Sequence, residues 1–143
     1  MERLKGITMK RKITILAALV ILANTQAAVE NKAPAFTLTS FDGKEVSLSD
    51  YAGKIVVLEW LNDQCPFVVH HYEKAATMTG LANRYKDKGV VWLAINSTNH
   101  TTAKQNKDFA AKHNLPYPIL DDRSGNVGRA YRASVLSVLN CRV

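Results

Sequence analysis

The stretch IVVLEWLNDQCPFVVHHY, residues 55–72, contains the change of pattern that decides the fold. Residues 55–61 form a nearly continuous apolar run, which is typical of a central strand covered on both faces. From Pro66 onward, apolar residues recur at helical spacing, and proline suits the first turn of a helix. The stretch therefore predicts a buried strand, a short polar loop and a helix, with Cys65 at the junction.

The helix that begins at Pro66 is predicted to run without a break to Asp-Lys-Gly at 87–89. Gly80 weakens its middle, because glycine has a low helix propensity. The residues expected on its core face are Val68, Tyr72, Ala75, Met78, Ala82 and Tyr85.

Strands and helices alternate through the rest of the chain. The turn signal Asp42-Gly43 lies between two short amino-terminal strands. We further predict a buried strand at 90–96, a helix from Thr101 or Thr102 to about 114, a strand at 117–120 and a brief helix at 126–131. This order predicts an α/β domain whose sheet has a parallel core and crossover helices. Cys65 then lies at the carboxyl end of a central strand, which is where ligand-binding and catalytic sites are found in such sheets.

The first 27 residues have the pattern of a secretory signal peptide. Five basic residues precede a short apolar run at 13–23, and Thr25 and Ala27 suit positions −3 and −1 of a cleavage site. The run is shorter than the roughly 20 residues of a membrane span. We therefore expect one domain, 28–143, that is periplasmic or secreted and has no stable membrane span after cleavage. An uncleaved membrane anchor is the alternative.

Charge and cysteine content argue against two other classes of protein. The formal charge of +7 falls to +3 without the leader, and no basic stripe interleaved with aromatic residues is present, so no nucleic-acid surface is predicted. Two cysteines, Cys65 and Cys141, are too few for a disulfide scaffold. We expect no cofactor.

The position of Cys65 favours a reactive thiol. A helix amino terminus, here opened by Pro66 and Phe67, offers unpaired N–H donors and a partial positive charge, and both stabilise a thiolate. The thiolate is the nucleophile in cysteine chemistry. A buried, inert cysteine is the alternative interpretation.

Four segments make the chain similar to the thioredoxin-fold redoxins, the alkyl hydroperoxide reductase/thiol-specific antioxidant group and its exported thiol-disulfide relatives. They are APAFTLTSFDGKEVSLSDYAGKIVVLEW (33–60), NDQCPF (62–67), YKDKGVVWLAINS (85–97) and YPILDDRSGNVGRAY (117–131), in the order of the family. The resemblance implies a thioredoxin-like fold with a central mixed sheet. It also implies a thiol oxidoreductase that acts on a protein disulfide or a peroxide and uses an external thiol reductant.

The resemblance assigns roles to two residues of the quoted stretch. Cys65 is implied to be the attacking cysteine, and Glu59 stands where thioredoxins hold a buried acid that accepts a proton from their dithiol. From the residues alone, an exposed position for Glu59 at the end of its strand is an equal alternative. Val68 stands where thioredoxins have their second cysteine, so a two-cysteine disulfide exchange is absent from the motif.

Two features of peroxidatic redoxins also lack a clear counterpart. Asn62 stands where those proteins usually have a threonine, three residues before the cysteine. Arg123 and Arg129 are the candidates for an arginine that assists the peroxide.

The carboxyl-terminal segment departs from the family pattern. After a segment like GNVGRAY, the family continues into a Thr-Pro loop, whose cis proline faces the active cysteine, and another strand. Here RASVLSVLNCRV (132–143) follows instead. We therefore expect a domain that is incomplete after about residue 131, through truncation or a frameshift. Its sheet would lack the C-terminal strands and helix and keep an open edge.

Cys141 in this tail has three interpretations. It could resolve a sulfenic acid or a disulfide on Cys65, form a static disulfide with Cys65, or be an accident of an altered tail.

Two functions compete with an exported, antioxidant-type thiol oxidoreductase. The missing second cysteine and proline loop favour a catalytically inactive binding module or fragment. Cysteine and imidazole also suit copper, with Cys65, His70 and His71 as candidate ligands and His113 as a further one. Helical steps of five and six residues, however, turn both nearby histidines away from Cys65, so no metal site is expected.

Overall fold

The computed structural model describes residues 32–133 and 138–142, and the predicted signal peptide (1–27) lies outside them. The strands are β1 (Thr37–Thr39), β2 (Glu45–Ser47), β3 (Ile55–Trp60), β4 (Val90–Asn96), β5 (Ile119–Asp121) and β6 (Val138–Arg142). The α-helices are α1 (Pro66–Glu73), α2 (Thr77–Tyr85), α3 (Ala103–Lys112) and α4 (Asn126–Ala130), and single 3₁₀ turns occupy Leu48–Tyr51 and Lys86–Lys88.

Four strands form a mixed sheet in the order β5-β4-β3-β6. β3, β4 and β5 are parallel, and β6 runs antiparallel to β3. Parallel neighbours need crossover connections, which α1 and α2 supply between β3 and β4 and α3 supplies between β4 and β5. β1 and β2 form a separate hairpin, whose turn holds Gly43 at a φ of 94°. The predicted mixed sheet with crossover helices is confirmed.

The structure contains one strand beyond residue 131, β6, so the prediction that the C-terminal strands are missing is wrong for this strand. Its register runs from Arg142 opposite Ile55 to Val138 opposite Glu59. A strand pairs through its backbone, so an extended β-prone segment beside an open edge is sufficient even without the Thr-Pro loop of the family. The free edge of β3 is therefore covered, and β6 becomes the outer strand on that side of the described sheet.

The predicted continuous helix after Cys65 is wrong, because the structure has two helices there. At the end of α1 the N–H of Ala75 bonds to the carbonyl of His70, 3.3 Å away, and Ala76 follows with a left-handed φ of 46°. Helices commonly end in this conformation, usually with a glycine. An alanine occupies the position here, so no stop signal is visible in the sequence. α1 buries Val68 and Tyr72, whereas Ala75, expected in the core, is exposed.

Side chains of β3 alternate between two buried clusters. Val57 packs in the cluster that also holds Cys65, and Val56 and Leu58 pack in the other, together with Leu93. Successive residues of a strand point to opposite faces, so the two clusters cover the two faces of the sheet. The prediction of a strand buried on both sides is confirmed.

α4 is fixed to the ends of the central strands by a buried carboxylate. Asp122 accepts hydrogen bonds from the N–H groups of Val127 (3.1 Å) and Gly128 (2.9 Å) and from Ser97 Oγ (2.6 Å). A Cβ on Gly128 would lie 3.1 Å from Ser97 Oγ and 3.3 Å from Trp60 Nε1. Gly128 therefore permits a close approach that a side chain would disturb.

We expect Gly128→Ala to lower the free energy of unfolding by about 1–3 kcal/mol, because the added methyl group overpacks this contact. Gly80→Ala is the matched control. Gly80 is exposed within α2 and nothing lies within 4 Å of its ideal Cβ, so this change should raise stability by about 1 kcal/mol through helix propensity. Urea denaturation of both variants measures the difference, and a change of the same sign in both would contradict the packing.

Candidate functional site

Asn62 shapes the turn that brings Cys65 to the start of α1. Its Oδ1 accepts a hydrogen bond from the N–H of Gln64 (2.9 Å), and its carbonyl accepts one from the N–H of Cys65 (3.0 Å). The chain thus reverses within four residues. Cys65 becomes the N-cap, and its carbonyl accepts the first helical bond from Val69 at 2.9 Å. The predicted position of Cys65 at a helix amino terminus is confirmed.

The side chain of Cys65 is a free thiol in a largely enclosed position. The residue is 8% exposed and lies in the cluster that contains Leu61 and Val68. Phe67, two residues along, is 65% exposed. Access to the sulfur therefore favours small reactants, while the helix start carries an exposed aromatic ring.

Glu59 is a buried acid, 2% exposed, so the interpretation as an exposed strand end is excluded. Its Oε1 accepts a hydrogen bond from the hydroxyl of Tyr72 (2.5 Å). Its Oε2 accepts one from Trp92 Nε1 (2.9 Å) and one from the hydroxyl of Tyr117 (3.2 Å). Burial raises the pKa of Glu59 above its ordinary range, and the three hydrogen bonds oppose part of that rise.

The partners of Glu59 connect it to the helix of Cys65. The hydroxyls of Tyr72 and Tyr117 are 2.9 Å apart, and both rings lie in the same cluster as Cys65. Tyr72 follows Cys65 by seven residues, which places the two on one face of α1. Burial, together with the neighbouring carboxylate, raises the pKa of each tyrosine.

The sequence did not identify this set of partners. The helical pattern predicts Tyr72 only as an apolar contact, and Trp92 and Tyr117 fall within predicted strands. The available signal was the need of a buried carboxylate for hydrogen-bond donors.

A cleft of about 320 Å³ opens beside the Asn62 turn, at the ends of β3 and β4. Arg129 lines it, with its guanidinium donating to Asn126 Oδ1 at 2.6 Å. Arg123 instead pairs with Asp121 at 2.6 Å and does not line the cleft. Of the two arginine candidates, the structure thus brings only Arg129 close to the turn that carries Cys65.

The candidate copper ligands are dispersed. His70 is exposed, His71 lies 3.4 Å from the hydroxyl of Thr77, and His113 packs against Phe109. Across residues 32–133, no three His, Cys, Asp or Glu side chains stand close enough together to hold a metal ion. No helix within the described part of the chain has both the length and the apolar character of a membrane crossing.

The register of β6 places Cys141 opposite Val56. Val56 packs in the cluster on the sheet face opposite to that of Cys65. This register locates only the backbone of Cys141, and its role stays a prediction.

Known proteins resemble this chain in sequence and in fold. It is 35% identical over 112 residues to the thiol-disulfide oxidoreductase ResA of Geobacillus kaustophilus (strain HTA426), covering 78% of this chain and 62% of that protein. It is 33% identical over 99 residues to the chloroplastic peroxiredoxin Q of Triticum aestivum, covering 68% and 43%. The exposed lipoprotein thioredoxin Etrx1 of Streptococcus pneumoniae strain TIGR4 superposes with a TM-score of 0.62 at 25% identity, covering 75% of this chain and 80% of that one.

These similarities confirm the thioredoxin-like fold. The chain spans 57% of the length of the ResA proteins of two Bacillus strains and 62% of that of Geobacillus kaustophilus. Residues 29–139 match the model of the AhpC/TSA family. This match covers most of the chain, and the chain belongs to the AhpC/TSA family.

Proposed function

We propose that the protein is an exported thiol-dependent oxidoreductase in which Cys65 reduces a small peroxide. The single observation that carries this proposal is the placement of a free, largely enclosed thiol at the amino terminus of α1. The helix start stabilises a thiolate, and the enclosure admits small oxidants in preference to folded proteins. The similarity to peroxiredoxin Q supports this chemistry.

The proposed peroxide-reducing cycle is complete with Cys65 as the one protein cysteine that takes part. The Cys65 thiolate attacks the terminal peroxide oxygen, the O–O bond breaks, and the sulfur becomes a sulfenic acid while the other oxygen leaves and takes up a proton. An external thiol then condenses with the sulfenic acid and releases water. A second external thiol attacks the mixed disulfide, regenerates the Cys65 thiol and leaves as a disulfide.

Glu59 serves in this proposal as the proton store of the site. Its three hydrogen-bond partners all belong to the cluster that holds Cys65, so the acid and the thiol share one region of low dielectric. In such a region two negative charges are unfavourable together. The thiolate is therefore best accommodated when Glu59 has taken up the proton of the thiol.

Thiol-disulfide exchange is the second candidate, and the exposed ring of Phe67 favours it. An aromatic side chain that is 65% exposed beside the attacking cysteine offers a contact for a protein substrate. The similarity to ResA points the same way. Since Val68 replaces the second cysteine of the motif, an external thiol would have to resolve the mixed disulfide.

Export is supported by the basic, apolar and small-residue pattern of residues 1–27 and by the similarity to an exposed lipoprotein thioredoxin. An extracytoplasmic protein meets an oxidising environment, in which a reactive thiol needs a dedicated reductant. The external thiol of the cycle would therefore be supplied by another exported protein or a small thiol.

We expect brief treatment of the purified protein with hydrogen peroxide to produce a sulfenic acid on Cys65 well before Cys141 is modified. Mass spectrometry with a sulfenic-acid trap identifies the site, and Cys65→Ser should abolish peroxide consumption. Cys141→Ser is the control for the first step, because it leaves the attacking thiol in place. Equal, slow labelling of both cysteines would instead support an inactive binding module.

Burial of Cys65 also predicts selectivity for the size of the reactant. The ratio of the rate with hydrogen peroxide to the rate with a bulky aromatic disulfide should be higher for native Cys65 than for a free thiol. The residue is only 8% exposed, which should hinder the bulky reagent more than the peroxide. Stopped-flow kinetics of the native and the urea-unfolded protein compare the two reagents, and unfolding should remove the preference. A preference for the disulfide in the native protein would favour thiol-disulfide exchange.

The raised pKa of Glu59 predicts how stability depends on pH. Above the unfolded-state pKa of about 4.3, and up to the raised folded-state pKa, the folded protein binds more protons than the unfolded chain. The free energy of unfolding should therefore fall as pH rises through this window, by up to about 1.4 kcal/mol per pH unit. Glu59→Gln should remove this part of the slope in urea denaturation at a series of pH values, whereas identical slopes for both proteins would show that Glu59 does not retain its proton.

A further inference from the structure

We propose that Tyr72 and Tyr117 are positioning residues that keep the proton of Glu59 exchangeable, by closing a ring of three hydrogen bonds with its carboxyl group. This inference rests on the proposed role of Glu59 as a proton store. The ring consists of the contacts Glu59 Oε1 to Tyr72 (2.5 Å), Tyr72 to Tyr117 (2.9 Å) and Tyr117 to Glu59 Oε2 (3.2 Å).

The ionised form of Glu59 is fully satisfied by this arrangement. A carboxylate only accepts hydrogen bonds. Tyr72 donates to Oε1, while Tyr117 and Trp92 donate to Oε2, so three donors meet the negative charge. Every hydroxyl and indole proton of the group then has a carboxylate acceptor, and the 2.9 Å contact between Tyr72 and Tyr117 carries a proton only when Glu59 is protonated.

The protonated form is satisfied as well, with the hydroxyl protons turned around the ring. Glu59 Oε1–H donates to Tyr72, Tyr72 donates to Tyr117, and Tyr117 donates to Oε2. The indole of Trp92 can only donate, and its bond of 2.9 Å keeps Oε2 an acceptor. The acidic proton therefore belongs on Oε1, facing the tyrosine of the cysteine helix.

Satisfaction of both forms is what makes the proton exchangeable. A buried acid surrounded only by donors would leave its own proton without an acceptor when it is neutral. A buried acid without donors would leave its charge without hydrogen bonds when it is ionised. Here the change of state requires rotation of two hydroxyl groups and no repacking of the core. The tyrosines thus satisfy both states, with stronger bonds to the ionised one, and they lower the cost of moving between them.

Other titratable groups pack around the ring and are part of its environment. On the side of α1 these are Cys65 and His71. A positive charge on His71 favours the ionised form of Glu59. From α3, His113 lies 5.3 Å from the ring of Tyr72, and burial together with Lys112 lowers the pKa of His113. From β4 the facing group is the indole of Trp92, which does not titrate.

The test is an infrared titration of the protonated Glu59 carbonyl band in the full protein, assigned by its loss in Glu59→Gln. Tyr72→Phe removes the short bond to the charged form, and hydrogen bonds to an ionised group are stronger than those to a neutral one. The midpoint of the band should therefore move to higher pH by about one unit, a tenfold rise in proton affinity. Tyr117→Phe, which removes the longer bond, should produce a smaller shift in the same direction.

Tyr85→Phe is the matched control, since Tyr85 lies on α2, makes cation–π contacts with Arg84 and Lys88, and has no bond to Glu59. Its midpoint should equal that of the unaltered protein. The ring is overturned if neither ring variant moves the midpoint, if either moves it to lower pH, or if the unaltered protein shows no protonated band. A purely structural role for the hydroxyls would change stability and leave the midpoint in place, which also overturns it.

The outcome for the ring is separable from that for the proposed function. An upward shift in a protein whose Cys65 is inert to peroxide would overturn the peroxidase and retain the ring. An unmoved midpoint in a protein whose Cys65 forms a sulfenic acid would retain the peroxidase and overturn the ring. If Tyr72→Phe does not fold, Tyr117→Phe alone decides, because its predicted shift has the same sign.

Discussion

The buried carboxyl group of Glu59 must find hydrogen-bond donors inside the protein, and it finds them on three different elements. Tyr72 comes from α1, Trp92 from β4, and Tyr117 from the segment just before β5. Each bond ties its element to β3, so the position of the cysteine helix over the sheet depends on this one acid. Burial raises the pKa of this acid, and the same bonds oppose part of that rise. The hydrogen bonds of Glu59 therefore affect both the packing of α1 on the sheet and the protonation of the acid.

Cys65 owes its environment to the turn that precedes it. The side chain and the carbonyl of Asn62 each accept a backbone hydrogen bond, which brings the thiol to the N-cap of α1. That position places the thiol beside the unpaired N–H donors of a helix start, while the surrounding cluster limits what can approach it. In the proposed peroxide cycle, the reducing electrons come from an external thiol.

Membership of the AhpC/TSA family does not by itself select one reaction, because fold and function are separable. Val68 removes the second cysteine of a disulfide exchange, and the enclosure of Cys65 disfavours large substrates. Both features support the proposed reduction of a peroxide over thiol-disulfide exchange. The tail, although it lacks the Thr-Pro loop of the family, still completes the sheet on one side through β6.

The sequence by itself determined the alternation of strands and helices, the buried character of β3 and the junction at Cys65, since each follows from local patterns of apolar, proline and capping residues. Tertiary structure alone decided the end of α1 at an alanine, the pairing of β6 with β3 and the donors that surround the buried Glu59. These features depend on groups that are far apart in the chain. Strands pair through backbone hydrogen bonds wherever the fold brings them side by side, and a carboxylate is buried only where the fold brings hydrogen-bond donors together. Tyr117 lies 58 residues from Glu59, and no local pattern connects them.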